Sequence, residues 1–310
     1  MQYCFGPVPS RRLGLSLGVD ILPVKTCNLN CIYCELGASK KFVTSRGEYT
    51  PVKEIMGELE DLFSGQPPVF DVLTITASGE PTLNSGLGRL IDFVKRLTDK
   101  PVALLTNSTL LGDPEVRRDI LNVDIILPSL DSALTESFRK VNRPAPNVDL
   151  QSIIDGLCAL RGEFSREIWL EILFVQDVND SDRDIAALKD AVNRIRPDRI
   201  QINTVARPPA ESWAKPISQE KMEELRCFFG EKAQVAVDLK GNGKVRGRLD
   251  TSEKIFDMLH RRPMSFDDLT SRLGMEPEIV NKTLDKLLRE GKIVKKIFRG
   301  QPFYVASTGS

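Results

Sequence analysis

The chain has 310 residues, long enough for one large α/β domain with a small domain appended. Its 41% hydrophobic and 28% charged residues are values of globular chains rather than disordered, collagenous or membrane-embedded ones. Basic and acidic residues balance at 43 each, so no net charge points toward nucleic acid or an acidic partner, and a single histidine, His260, leaves little room for histidine-based acid–base catalysis. The chemistry is therefore expected to come from a cofactor.

No apolar run approaches the roughly 20 residues that span a bilayer, and the opening MQYCFGPVPSRR lacks the apolar stretch of a secretion signal, so a cytoplasmic location is expected. Short β-branched runs alternate with amphipathic helical patterns from Leu15 onward, the pattern of βα units around a parallel sheet. Strands are predicted near residues 17–22, 69–76, 102–106, 125–130, 168–175 and 199–203. Helices are predicted at 52–63, 87–98, 115–121, 149–161, 182–195 and 219–229. Six such units predict a partial (β/α)6 TIM-like barrel, in which the loops after the strands build the active site.

A further apolar segment at 234–239 leads into KGNGKVRGR, a Gly-rich basic stretch that reads as a linker. The expected division is a barrel domain over 1–240, a linker over 241–250 and a second domain over 251–310. That last part has helical patterns at 252–260, 266–273 and 277–290 and strand-like pieces at 293–298 and 303–305, with Gly300 at the turn. Three helices followed by a hairpin is the order of a winged helix–turn–helix domain.

The segment KTCNLNCIYCELG carries Cys27, Cys31 and Cys34 at C-x3-C-x2-C spacing just after the first predicted strand, where one loop can wrap three sulfurs around one inorganic cluster. A cubane cluster has four irons, so three cysteines leave one iron open to another ligand. A zinc knuckle is the alternative, but its fourth ligand would be His260, Cys4, Cys158 or Cys227, none at a familiar spacing. Cys158 and Cys227 have helical neighbours that favour burial as small hydrophobes, and Cys4 is a candidate for the barrel mouth.

With Tyr33 before its last cysteine, this triplet resembles the signature of the radical S-adenosylmethionine (SAM) superfamily. TASGEPTLN, residues 76–84, resembles the Gly-Glu-Pro segment of that superfamily. The resemblance implies a [4Fe–4S] cluster whose open iron chelates SAM, and reductive cleavage of SAM to a 5′-deoxyadenosyl radical. It implies an external one-electron donor of flavodoxin or ferredoxin type. Gly79, Glu80 and Pro81 are expected to face the SAM ammonium, with the Glu80 carboxylate accepting from it. By the same analogy Asn107, Ser129 and Asp131 are candidates for SAM contacts, with Tyr33 and Asn203 near the adenine. Each of these also reads as a turn or cap residue.

Glu171 sits in the apolar run IWLEILFV, where an unpaired carboxylate is costly, so it either faces the barrel interior toward the cofactor or pairs with an arginine. Arg11, Arg12 and Arg207 lie in Arg-, Pro- and Gly-rich segments and are candidates for receiving an anionic substrate, or for ordinary salt bridges. Beyond the motifs, PSLDS, VNRP, DVND and INTVARPPAE resemble radical SAM proteins related to wyosine-type tRNA base synthases, over residues 5 to about 215. Those synthases carry a further cysteine cluster upstream, whereas Cys4 is the only cysteine here before the triplet, so their pyruvate chemistry does not carry over.

Residues 240–306 hold fifteen Lys and Arg against nine Asp and Glu, with Lys295, Lys296 and Arg299 on the proposed wing. A basic surface of this kind suits phosphate, while winged helices also dock polypeptides or serve as packing units. The reading is an enzyme that modifies RNA or a polypeptide. A small metabolite is the alternative substrate, and a DNA-binding iron–sulfur sensor the alternative of another class.

Overall fold

The computed structural model describes residues 2–10, 12–39, 41–65, 67–235 and 251–307. One eight-stranded sheet runs in chain order through β1 (Cys4–Ser10), β2 (Gly14–Asp20), β3 (Val72–Thr76), β4 (Val102–Thr106), β5 (Ile125–Pro128), β6 (Glu167–Phe174), β7 (Arg199–Thr204) and β8 (Ala233–Val235). From β2 to β8 every neighbouring pair is parallel, and β1 alone is antiparallel, against β2. The connections carry α1 (Val52–Ser64), α2 (Leu87–Leu97), α3 (Pro114–Ile120), α4 (Thr135–Val141) with α5 (Leu150–Glu163), α6 (Asp182–Ile195) and α7 (Gln219–Phe229). This is a parallel α/β architecture, and its strands end on one shared rim.

The period of two along each strand sorts the side chains into two layers. Leu17, Val19, Leu73, Ile75, Val102, Leu104, Ile126, Leu170, Ile172, Ile200 and Ile202 are buried toward the helices in the main core. The alternate positions form a smaller layer of Val72, Ala103, Leu127 and Trp169 on the other face. Higher up that inner face the residues turn polar, with Thr74, Glu171, Gln201 and Asn203. An interior that is apolar at the bottom and polar at the rim is dry where it must hold together and wet where a ligand enters.

All six predicted strands and their helices form, the first over Gly14–Asp20 rather than 17–22, with three further differences. The strand predicted from residue 69 starts at Val72, because Pro67 and Pro68 interrupt the pattern, Val69 is exposed, and the Asp71 carboxylate accepts from Leu15 N at 2.7 Å. The strand β1 was not anticipated, since Gly6, Pro7 and Pro9 break its alternation. The short helix α4 was not anticipated either. The predicted linker over 241–250 lies outside the described residues, as does most of the apolar segment predicted at 234–239.

The C-terminal part contains α8 (Thr251–Arg261), β9 (Met264–Ser265), α9 (Phe266–Leu273), α10 (Pro277–Arg289), β10 (Ile293–Phe298) and β11 (Gln301–Ala306). The three strands form a small antiparallel sheet in the order β10-β11-β9. Ser265 and Asp268 close a reciprocal capping box at the start of α9, and Gly274 ends it in the left-handed region. Phe298 pairs with Gln301, so the β10–β11 turn has only two central residues, Arg299 and Gly300, both with positive φ. That matches the mirror-image turn whose twist suits a hairpin. Ile255, Leu259, Leu269, Val280, Leu284, Leu287 and Ile293 make a core separate from that of the barrel.

Candidate active site

At the C-terminal rim of the strands a cavity of about 380 Å³ opens, lined by the cysteine loop, residues 76–81, the ends of β4 to β7 and the segment after β7. All three triplet cysteines line it, and none is in a disulfide. The loop that carries them is held from both sides. Lys25 N donates to Ser78 O at 2.6 Å and Glu80 N donates to Thr26 O at 2.9 Å, tying it to the segment after β3. Ile32 N donates to Val141 O at 3.0 Å and Glu211 N donates to Ile32 O at 2.9 Å, tying it to α4 and to the segment after β7.

Each cysteine sulfur faces a nitrogen donor. Leu29 N lies 3.4 Å and Asn107 Nδ2 3.6 Å from Cys27 Sγ, Asn142 Nδ2 lies 3.4 Å from Cys31 Sγ, and Lys25 Nζ lies 3.6 Å from Cys34 Sγ. Donors aimed at sulfur stabilise a thiolate or a ligated sulfide. As free thiols the two deeper ones resist ionisation: burial, chiefly, pushes the Cys27 thiol up to about 12, and burial with the nearby Asp131 charge raises Cys31 well above the ordinary thiol range. Among the described residues no three His, Cys, Asp or Glu side chains are arranged to hold a single metal ion. Three sulfurs of one loop around a common cavity, each provided with a donor, suit a larger inorganic group, so the donor set fits an iron–sulfur cluster.

Glu80 is 1% exposed, and its carboxylate is turned into the protein. Oε1 accepts from Thr82 N at 3.0 Å, Thr82 Oγ1 at 2.6 Å and Thr106 Oγ1 at 2.6 Å, and Oε2 accepts from Asn107 N at 2.6 Å. Burial raises its pKa above the ordinary carboxylate value, and the hydrogen bonds from Thr106 and Thr82 pull it back. The carboxylate thus clasps β4 to the Gly-Glu-Pro segment, which differs from the expectation that its oxygens project to a ligand. Gly79 makes an extra parallel bridge with Thr26, and a Cβ there would collide with the Thr26 carbonyl, its carbon only 2.5 Å away.

The other candidates fall into three groups. Asn107 donates to Asn28 Oδ1 at 3.0 Å and accepts from Thr109 Oγ1 at 2.6 Å, bracing the cysteine loop as well as lining the cavity. Tyr33 donates to Asp131 Oδ2 at 2.5 Å beneath the loop, and Ser129 lines the cavity at the end of β5, where its carbonyl accepts from Ser108 Oγ. Glu171, Arg12 and Asn203 come together on the inner face: Glu171 forms an ion pair with Arg12, and its Oε1 accepts from Asn203 Nδ2 at 3.2 Å. Both readings of Glu171 therefore meet, since it faces the interior and it pairs with an arginine.

Arg207 is 7% exposed and lines the cavity, with Nη1 at 3.3 Å from Glu35 and Nη2 at 4.0 Å from Asp268 in the C-terminal part. Arg11 lies outside the described residues. Cys4 stands at the rim end of β1, but it is buried in the helix-side core rather than open to the mouth. Cys227 is exposed, against the expectation of burial, because α7 buries Met222, Leu225 and Phe229 and so turns residue 227 outward. Cys158 is half-buried on α5.

Sequence reasoning missed Lys25, Asn28, Thr82, Asn142 and Glu211. Lys25 and Asn28 stand within the cysteine segment itself, and a search for nitrogen donors flanking the ligands would have found them. Asn142 is remote in sequence and only the fold brings it to Cys31.

A family model for the radical SAM superfamily matches residues 21–188. A protein of Brachyspira hyodysenteriae named GTPase Obg is 35% identical over 98% of this chain, which spans only 45% of that protein's length. A UPF0026 protein of Helicobacter pylori strain J99 is 31% identical, with 97% of each chain covered. A radical SAM methyltransferase from Sphaerobacter thermophilus is similar in structure with a TM-score of 0.49 at 15% identity, over 71% of this chain and 66% of that one. No helix among the described residues is long and apolar enough to cross a membrane. By the family model and the full-length relative, the chain belongs to the radical SAM superfamily, whose members use a [4Fe–4S] cluster and SAM, and within it to the UPF0026 family.

Proposed function

We propose that Cys27, Cys31 and Cys34 hold the [4Fe–4S] cluster of a radical SAM enzyme that modifies a macromolecule, RNA or polypeptide, in the cytoplasm. The observation that carries this reading is that three thiols of one loop, each facing a nitrogen donor, share a single cavity with residues 76–81 at the strand ends. When bound and reduced by a flavodoxin- or ferredoxin-type donor, the cluster supplies the electron that cleaves SAM to methionine and a 5′-deoxyadenosyl radical. The chain's own residues bind and shield. Backbone carbonyls of residues 77–80 would accept from the SAM ammonium, with Asn107 and Ser129 as further polar contacts to SAM and Asn203 near the adenine. The Arg12–Glu171 pair forms the floor, so an anionic substrate meets Arg12 already paired and Arg207 nearer the mouth.

The macromolecular substrate is supported by where the C-terminal part lies. Phe298, at the tip of β10, packs on an apolar cluster of the rim formed by Ile32, Val141, Val175, Val205 and Ala214, and Asp268 approaches Arg207. We read this part as a winged-helix domain whose exposed Lys295, Lys296 and Arg299 present charge beside the mouth. Within the superfamily the segments 128–132, 141–144, 177–180 and 202–211 favour the group related to wyosine-type tRNA base synthases. A second cluster like theirs has no support in Cys4, which is buried in the core.

The test is anaerobic reconstitution with iron and sulfide, reduction with dithionite and chromatographic assay for 5′-deoxyadenosine, beside a Cys31→Ala variant. Product from the wild type and none from the variant is the expected result. If neither yields it despite a full cluster, the iron–sulfur sensor reading replaces this one.

A further inference from the structure

Asp131 is buried at the end of β5, 3% exposed, and draws donors from three parts of the chain. Oδ2 accepts from Tyr33 Oη at 2.5 Å and from Asn142 Nδ2 at 2.7 Å, and Oδ1 accepts from Leu173 N at 2.9 Å. Its backbone carbonyl accepts from Asn179 Nδ2 at 2.7 Å, so the residue is fixed as well as surrounded. Asn142 is the residue that ends α4, and it is 3% exposed. Its amide nitrogen has two hydrogens, one directed to Asp131 and the other toward Cys31 Sγ at 3.4 Å.

The geometry points to Asp131 as a positioning residue that acts through Asn142 to keep an N–H bond on Cys31, and thereby sets how readily the cluster accepts its electron. The inference rests on the ligand assignment proposed above. The amide of an asparagine can present either its nitrogen or its oxygen, and here the choice is forced. A carboxylate accepts and never donates when ionised, and a ligating sulfur likewise needs donors. With its oxygen turned inward, Asn142 would set an acceptor against both. The consequence is visible: Asn142 Oδ1 is buried with no hydrogen-bond partner, left so while its nitrogen serves both neighbours.

A donor on a ligand sulfur stabilises the reduced, more negative cluster over the oxidised one and raises the reduction potential. Asn142→Leu, branched at the same carbon and without a donor, is therefore expected to lower the midpoint of the one-electron couple by about 59 mV, equivalent to a tenfold change in its equilibrium constant. Asp131→Asn has two opposed effects. It removes a nearby negative charge, which raises the potential, and it frees Asn142 to turn its oxygen toward Cys31, which lowers it.

A double-mutant cycle separates them. Wild type, Asp131→Asn, Asn142→Leu and the double variant are reconstituted in the full chain and titrated by EPR-monitored potentiometry without SAM, with iron and sulfide counted per chain. The expected result is non-additivity: Asp131→Asn shifts the midpoint about tenfold less favourably for reduction in the chain that keeps Asn142 than in the chain already carrying Asn142→Leu. Additive shifts would mean that Asp131 acts by charge alone and would overturn the inference, as would an unchanged midpoint in Asn142→Leu. Asn142→Ala stands in if the leucine variant fails to load. A wild-type chain that takes up no cluster sinks the ligand assignment instead, a distinct outcome read from the iron count.

Discussion

Four donors converge on the buried carboxylate of Glu80, two of them backbone N–H groups. A carboxylate satisfies this set because both of its oxygens accept. Glutamine cannot, in either orientation: keeping its oxygen on Thr82 and Thr106 leaves its amide facing Asn107 N–H, and the flip is worse. Glu80→Gln is therefore predicted to destabilise the fold by about 1–3 kcal/mol, the usual penalty for one buried donor left unpaired. Thermal unfolding of the iron-free protein measures it. A variant as stable as the wild type would mean that the clasp between β3 and β4 contributes nothing, and that this glutamate is present for a ligand alone.

Single elements of the site depend on backbone approach as much as on side chains. The segment after β3 comes so near the cysteine loop that Gly79 cannot carry a Cβ without displacing Thr26, the residue before Cys27. Gly57 in α1 has open space around its Cβ position. Gly79→Ala is predicted to lose most of its bound iron on reconstitution, whereas Gly57→Ala should bind iron as the wild type does and gain about 0.5–1 kcal/mol in stability from helix propensity. Equal iron content in the two variants would refute the close-approach argument. The same elements show what the sequence could disclose. The parallel strands were legible because most are short apolar runs between turn residues, and the cysteine triplet because its ligands are neighbours in sequence. β1 was hidden by its Gly and Pro residues, and α4 by its start at Leu134, which caps nothing, whereas α3, of the same length, is announced by Asp113 and Pro114. The partners of the site were hidden for a different reason. Asn142 is 111 residues from Cys31, and Arg12 reaches Glu171 only because the β1–β2 turn folds under the barrel interior. Pairings of that range come from topology, which no local pattern encodes.

At the scale of the whole molecule, a chain with no net charge distributes it unevenly. Residues 240–306 hold the excess of six basic residues, so the remainder carries an equal acidic excess. A polyanion would favour the C-terminal part over the rest of the chain, and that part touches the rim of the cavity through Phe298 and Asp268. Because the two cores are separate, charge can be changed on the hairpin without disturbing the barrel. Lys295, Lys296 and Arg299 are exposed, so reversing all three to glutamate removes no buried contact. If they meet phosphates of a single-stranded RNA region, each contributes about 0.7 to the slope of log affinity against log salt, and the triple variant loses about 2 from that slope. Filter binding of the full chain to unfractionated RNA across a salt series measures it, with 5′-deoxyadenosine formation in the absence of RNA as the control that the site is intact. Steep salt dependence in the wild type and a flattened one in the variant, with the control unchanged, assigns the hairpin to RNA. Wild-type binding that ignores salt, or a variant that binds as tightly as its parent, removes RNA from the reading and leaves a polypeptide as the macromolecule to be sought.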